Sequence, residues 1–325
     1  MPRMIPPAAA AILALGLTAP PAAADPHAWL VEWPEVNFAQ TTVPYDEIDE
    51  GGPPRDGIPA IFEPQFLPVG EETRIDGREP VMTVERGDTA RAYPIRYLMW
   101  HEIVNDEIDG MPIAITWCPT CNSGVTFDAR VDGERRSFGV TGKLRHSNLI
   151  MYDRETVSWW MQGDGQGIVG EHAGDWLRPI ASWTESWDSF RERNPDGEVL
   201  DQPDWPRDYG RNPYGAYEDR DTPIRFTGLM PRHGIHPMAR MVRVGERGWL
   251  IARLQEEGEI SEAGVTLRWS AGMASPLDAP RIEDGRDVGM VRVTDEDGND
   301  LPHDVLFAYA FDGLFPEGEW MLAQE

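Results

Sequence analysis

Cysteine is nearly absent: the 325 residues contain two, Cys118 and Cys121. Two cysteines cannot make a multi-bridge framework, so stability has to come from a buried core. A chain of this length can supply that as one large domain or two of ordinary size. Lysine is scarcer still, Lys143 being the only one, and the 29 basic residues face 56 acidic ones for a formal charge of −27. That balance excludes nucleic acid and anionic membrane surfaces as partners, since both demand a cationic face. Acidic excess of this kind serves solubility. After residue 24 no apolar run approaches the ~20 residues of a membrane-spanning helix. A Gly-x-Ser-x-Gly elbow, a phosphate loop and a His-Glu-x-x-His helix are also missing, which removes the common hydrolase, nucleotide and zinc-protease templates.

What is present begins with a leader. One positive charge at Arg3, an apolar run from Ala8 to Leu17 and Ala22-Ala23-Ala24 before Asp25 form the layout of a secretory signal peptide. Residues 1–24 are expected to be removed by cleavage after Ala24, leaving a periplasmic or secreted protein that begins near Asp25.

Glycine and proline then punctuate the chain. Residues 25–43 read as an N-terminal arm, and Gly51-Gly52-Pro53-Pro54-Arg55-Asp56-Gly57-Ile58-Pro59 forbids helix or central strand. That loop is a structural turn or the backbone wall of a pocket. Val81 to Val84 reads as a strand, and Pro94 opens a helix with Ile95, Leu98, Met99 and Ile103 on one stripe. Met111 to Trp117 is expected to be a strand delivering the cysteines. Val125, Phe127, Ala129 and Val131 alternate before the hairpin signal Asp132-Gly133. Further strands are expected at Leu149–Tyr152 and Val157–Gln162, then a helix with Ser182 and Glu185 as capping box and Asn194-Pro195 as its stop. The fold class is α+β and strand-rich: a main unit at 44–200, a linker at 201–222 and a shortened, degenerate second unit at 223–325 packed against the first. The internal repeat rests on three anchors: Val84–Gly87 with Val244–Gly248, Ile115–Ser123 with Leu267–Ser275, and Phe190–Glu198 with Phe311–Glu319.

Chemistry concentrates at Trp117-Cys118-Pro119-Thr120-Cys121-Asn122-Ser123-Gly124. A Cys-x-x-Cys pair in an exported protein is a structural disulfide, a redox dithiol or half of a metal site. So small a disulfide loop gains only about 2 kcal/mol of chain entropy. Trp-Cys-x-x-Cys also occurs in thioredoxin-like sites, but there a helix follows, whereas here a strand is predicted. Two thiolates suit copper before zinc, and imidazole or thioether must complete such a site. His101 is the first candidate for that ligand and His146 the second. Met230, His233, His236, Met238 and Met241 form a third, linker-borne source. Glu102, Asp106, Asp128 and Asp153 are available as general acid or base. Trp159, Trp160, Trp176, Trp183 and Trp187 read as core or as a ligand groove.

The glycine-proline loop, Ala92-Tyr93-Pro94 with Trp100-His101-Glu102-Ile103-Val104-Asn105-Asp106, the cysteine turn, and Met151-Tyr152-Asp153-Arg154-Glu155-Thr156 recur in this order in a known family. From about Pro44 to Leu200 the chain resembles the bacterial family catalogued as domain of unknown function 3179. The resemblance implies an exported setting and carries no activity. It places Tyr93, His101, Asn105, Cys118, Cys121, Ser123, Tyr152, Asp153 and Arg154 on the family pattern and implies asparagine as a frequent residue at the His146 position. The resulting expectation is a copper or zinc site made by Cys118, Cys121 and His101, with Tyr93, Asn105, Ser123, Lys143, His146, Tyr152, Asp153 and Arg154 in support. A periplasmic thiol-disulfide oxidoreductase and a non-catalytic ligand- or protein-binding module with bridged cysteines are the alternatives.

Overall fold

Glycines and prolines cut the chain into short pieces, and between them β-branched and aromatic residues favour pleated, half-buried surfaces. The outcome is 38% strand and 16% helix, in a five-bladed, propeller-like arrangement. The computed structural model describes residues 26–322 except 225, 227 and 229. The signal-peptide reading and its cleavage site lie outside the described residues. Among those described, no helix is long and apolar enough to cross a membrane.

One sheet contains Phe138–Arg145 and Asn148–Asp153, flanked by Ile48–Glu50, Trp159–Met161 and Gly167–Val169. The cysteine sheet orders Arg178–Pro179, Ser123–Asp128, Met111–Cys118 and Ile103–Ile108. Its two central strands are buried along their whole length, so both faces are covered and the expected alternation is absent.

The expected strand at Val81 runs from Pro80 to Arg86, and the helix after Pro94 spans Ile95–His101. It stops a residue before Ile103, which starts a strand instead. Glu102 takes a left-handed φ of 58° and its N–H returns to the Leu98 carbonyl, which ends the helix. The Asp132-Gly133 turn forms as read, with φ of 54° and 80°. The Ser182–Glu185 capping box does not form. Trp183–Ser186 is a strand, and Ser186 caps the helix Trp187–Arg193 through its Oγ and the Ser189 N–H.

Two sheets share one pattern of pairing. Thr89–Pro94 lies antiparallel to Pro80–Arg86, which pairs with Trp183–Ser186, while Glu198–Leu200 lies parallel to Thr89–Pro94. In the same way Arg247–Leu250 pairs with Arg240–Val244, that strand with Asp304–Phe307, and Glu319–Trp320 lies parallel to Arg247–Leu250. Each packs on a small apolar cluster of its own, Val81, Ala92, Trp187, Phe190 and Val199 for the first and Val242, Trp249, Ile251 and Leu254 for the second, while a larger cluster runs from Trp29 to Leu314 across the expected boundary. Residues 201–222 contribute to that interior, with Tyr209 and Tyr217 buried in the same cluster. The N-terminal arm belongs to the large cluster too: the rings of Trp29 and Trp33 each pack 5.3 Å from Trp159, the first tilted and the second edge-on. Burying a large aromatic is worth about 1.5–3 kcal/mol, so the arm is an integral part of the fold.

Candidate functional site: a buried pair of thiols behind a narrow pocket

Cys118 ends one strand of a hairpin and pairs in register with Ser123, which begins the next. The four residues between them form a turn closed by Asn122 N–H to the Pro119 carbonyl at 3.2 Å, with Asn122 at φ 54°. The C-terminal part of the chain clamps this turn. Phe307 N–H donates to the Cys121 carbonyl at 3.0 Å, Asn122 Nδ2 to the Val305 carbonyl at 3.1 Å, and Tyr309 Oη to the Thr120 carbonyl at 2.5 Å. Ser123 Oγ donates to Asp304 Oδ2 at 2.6 Å, and Arg243 Nε donates to Oδ1 of the same carboxylate at 2.5 Å.

Cys118 and Cys121 stand 3.5 Å apart without a disulfide. Their surroundings differ. Burial alone would raise the Cys118 thiol, but hydrogen bonds from Cys121, Thr120 and the Cys121 and Leu149 backbone hold it down to about 7. Thr120 Oγ1 lies 3.3 Å from the Cys118 sulfur and 2.6 Å from the Ser147 carbonyl. It has one proton, so it serves the carbonyl when Cys118 is a thiol and can turn to the sulfur when Cys118 is a thiolate. Cys121 is pushed well up, first by burial and then by Cys118. Asn148 Nδ2, 3.4 Å away, opposes that rise and is itself fixed by Gln162 Oε1 at 2.9 Å.

Cys118 also lines a pocket of about 150 Å3, together with Glu102, Thr120, Lys143, Tyr214 and the loop residues Gly51 and Pro53. The glycine-proline loop is therefore the pocket wall. It seats against Gly142, whose φ of 75° favours glycine and where a Cβ would come within 1.9 Å of the Pro53 carbonyl oxygen. Glu102 reaches the pocket because its backbone is fixed on both sides, to Leu98 and, through its carbonyl, to Trp117 N–H at 2.8 Å. Its side chain is 7% exposed and has no hydrogen-bond partner among the described residues. Burial, reinforced by Cys118, pushes its carboxyl well above the usual range, toward the protonated form.

Residues 55–317 match the family described as Protein of unknown function (DUF3179). The chain belongs to the DUF3179 family. The match takes in the C-terminal part as well as the region that carries the sequence resemblance. No curated protein and no solved structure matches the chain.

In this DUF3179 protein, His101 does not line the pocket with Cys118. Its ring lies buried between a carbonyl and a phenol: Nδ1 is 2.7 Å from the Pro59 oxygen and Nε2 is 2.6 Å from Tyr209 Oη. A carbonyl only accepts, so Nδ1 carries the proton and the Nε2 lone pair receives the tyrosine O–H. Burial, together with Arg207, keeps the ring neutral despite the Pro59 contact. The residue that reaches the pocket is its neighbour, Glu102, because the left-handed turn at the helix end redirects the chain. Among the described residues, Asp132, His172 and Asp175 form a group of three ligand atoms within 4.8 Å of one another, and the cysteines belong to no such group.

The other family positions serve the frame. Tyr93 Oη donates to Asp106 at 2.6 Å, and Asn105 brackets Phe138 through both its amide atoms. Tyr152 Oη and Arg154 both hold Asp56 in the pocket-wall loop, at 2.6 and 2.9 Å. Asp153 receives the Thr156 N–H and Trp160 Nε1. Lys143 is 2% exposed and donates to Glu32 and Glu50 at 3.1 and 2.9 Å, which ties the N-terminal arm to the pocket. His146 sits apart from the cysteines, 3.5 Å from Glu47. Of the tryptophans, Trp159, Trp160, Trp183 and Trp187 are buried core, while Trp176 is 60% exposed. Met238 and Met241 are core residues as well. Tyr214, Asn148 and Tyr309 were not legible as site residues. They come from a segment that reads as linker, a strand start and the degenerate copy, and no local pattern marks them.

Proposed function

We propose that Cys118 and Cys121 work as a reversible dithiol, Cys118 as the attacking thiolate and Cys121 as the resolving thiol. The asymmetry of the pair carries this reading: the sulfur that lines the pocket is pushed down to about 7, and its neighbour 3.5 Å away stays protonated. A thiolate near pH 7 is the nucleophile of thiol chemistry. No helix N-terminus follows the cysteines, so the thiolate is held by the hydrogen bonds of its own turn. A purely structural bridge does not account for an open pair with a pocket in front of it. Zinc takes four ligands, and the imidazole expected as one of them already gives its free lone pair to Tyr209.

The test is equilibration in dithiothreitol redox buffers with thiol alkylation and intact-mass readout. The expected result is a single two-electron transition at a potential more oxidising than about −300 mV, below which structural disulfides lie. The Cys118→Ser and Cys121→Ser variants should lose it. A pair that stays reduced throughout, or protein purified with stoichiometric copper or zinc that both variants lack, would overturn the dithiol reading.

A further inference from the structure

The pocket in front of Cys118 restricts what its sulfur can meet. Cys118 is 1% exposed and the cavity measures about 150 Å3, so the disulfide of a folded protein cannot be presented to it. Glu102 shares that cavity, more than nine-tenths buried and with no hydrogen-bond partner among the described residues. A largely buried acid that no protein group satisfies and that faces a cavity beside a nucleophile marks a place for a ligand. Exchange with a disulfide gives that acid little to do, because a thiolate leaves unaided near its pKa of about 8.5. Cleavage of an O–O bond is different. Its leaving oxygen becomes water or an alcohol, whose pKa lies near 15.7, and departure requires a proton.

Resting on the dithiol reading, we propose that this pocket takes a small hydroperoxide and that the protein reduces it, with Glu102 as the proton donor to the leaving oxygen. The Cys118 thiolate attacks the terminal oxygen of HO–OR. An S–O bond forms, the O–O bond breaks, and the departing RO⁻ takes the Glu102 proton, leaving a sulfenic acid, ROH and a Glu102 carboxylate. The peroxide is the oxidant and accepts two electrons from sulfur. Cys121 then attacks the Cys118 sulfur; the S–S bond forms, the S–O bond breaks, and the hydroxide leaves as water with the Cys121 proton. The negative charge that began on Cys118 ends on Glu102, so both steps balance. A small thiol reductant returns the pair to its open state by exchange and restores the Glu102 proton from solvent.

The experiment uses the full mature chain, reduced and then mixed with hydrogen peroxide, tert-butyl hydroperoxide or peroxyacetic acid, followed by loss of free thiols and by intact mass. Wild type should consume one equivalent of hydrogen peroxide at least ~100-fold faster than the same chain unfolded in urea. Cys121→Ser should stop at a sulfenic acid that dimedone traps on Cys118. Glu102→Gln should slow hydrogen peroxide about 100-fold and slow peroxyacetic acid far less, because a carboxylate leaves without a proton. A merely structural role for Glu102 would slow all three oxidants alike. If the pair cycles in redox buffer but reacts with hydrogen peroxide no faster than the unfolded chain, the peroxide assignment falls and the dithiol stands. If Cys121→Ser yields no dimedone adduct, the assignment falls whatever Glu102→Gln does. If the pair does not cycle at all, both fall.

Discussion

Replacing Cys121 with alanine removes the hydrogen bond that does most to hold down the Cys118 thiol. A thiol at about 7 is roughly half ionised at pH 7, whereas an ordinary cysteine with a pKa of about 8.5 is about 3% ionised there. Hydrogen bonds to a charged acceptor are worth about 1.5–3 kcal/mol, and S–H is a weak donor, so the low end applies. At about 1.36 kcal/mol per pKa unit, that moves the Cys118 midpoint up by about one unit, to about 8. The assay is thiolate ultraviolet absorbance against pH, with Cys118→Ser subtracted as the blank. Cys121, pushed well up by burial, stays silent across this range. A wild-type midpoint already near 8.5, or a midpoint that does not move in Cys121→Ala, would refute the account of how the thiolate is held.

Other consequences follow from the same geometry. Glu102 has its folded carboxyl raised, so folding takes up a proton and stability falls as pH climbs from the unfolded carboxylate range toward the folded one. Glu102→Gln should therefore raise Tm more at pH 8 than at pH 4, and an equal gain at both would contradict the burial argument. Asp304→Ala strips Arg243, 10% exposed, of the carboxylate it shares with Ser123 and should cost about 3–5 kcal/mol in urea unfolding, against about 1 kcal/mol for Ser123→Ala. Gly142→Ala sets a side chain against Pro53 at positive φ and should cost at least about 1 kcal/mol while loosening the pocket wall, read as faster proteolysis in residues 51–59. His101→Leu should lower Tm through loss of the Pro59 and Tyr209 bonds, with copper and zinc content by elemental analysis the same as wild type.

The strands into and out of the cysteines, the Asp132-Gly133 hairpin and the Pro94 helix start are all legible locally, because turn chemistry and fixed proline torsions act within a few residues. The glycine-proline loop was legible as a turn or a wall, and only the cavity beneath it decided between the two. The helix end is not legible locally, because Ile103 continues the apolar period while a single left-handed residue, Glu102, breaks the helix. That one torsion exchanged the site residue: it left His101 against Pro59 and Tyr209 and turned Glu102 into the pocket.

By itself the sequence determined that this is a strand-rich, acidic DUF3179 protein whose chemistry gathers at Cys118 and Cys121, since composition, turn residues and motif order are properties of short stretches. Which groups surround those sulfurs was decided only in three dimensions. Tyr309, Asp304, Tyr214 and Asn148 reach the turn or its pocket from up to 189 residues away. Contacts across such separations depend on how the sheets pack together, and no local pattern in the chain encodes that packing.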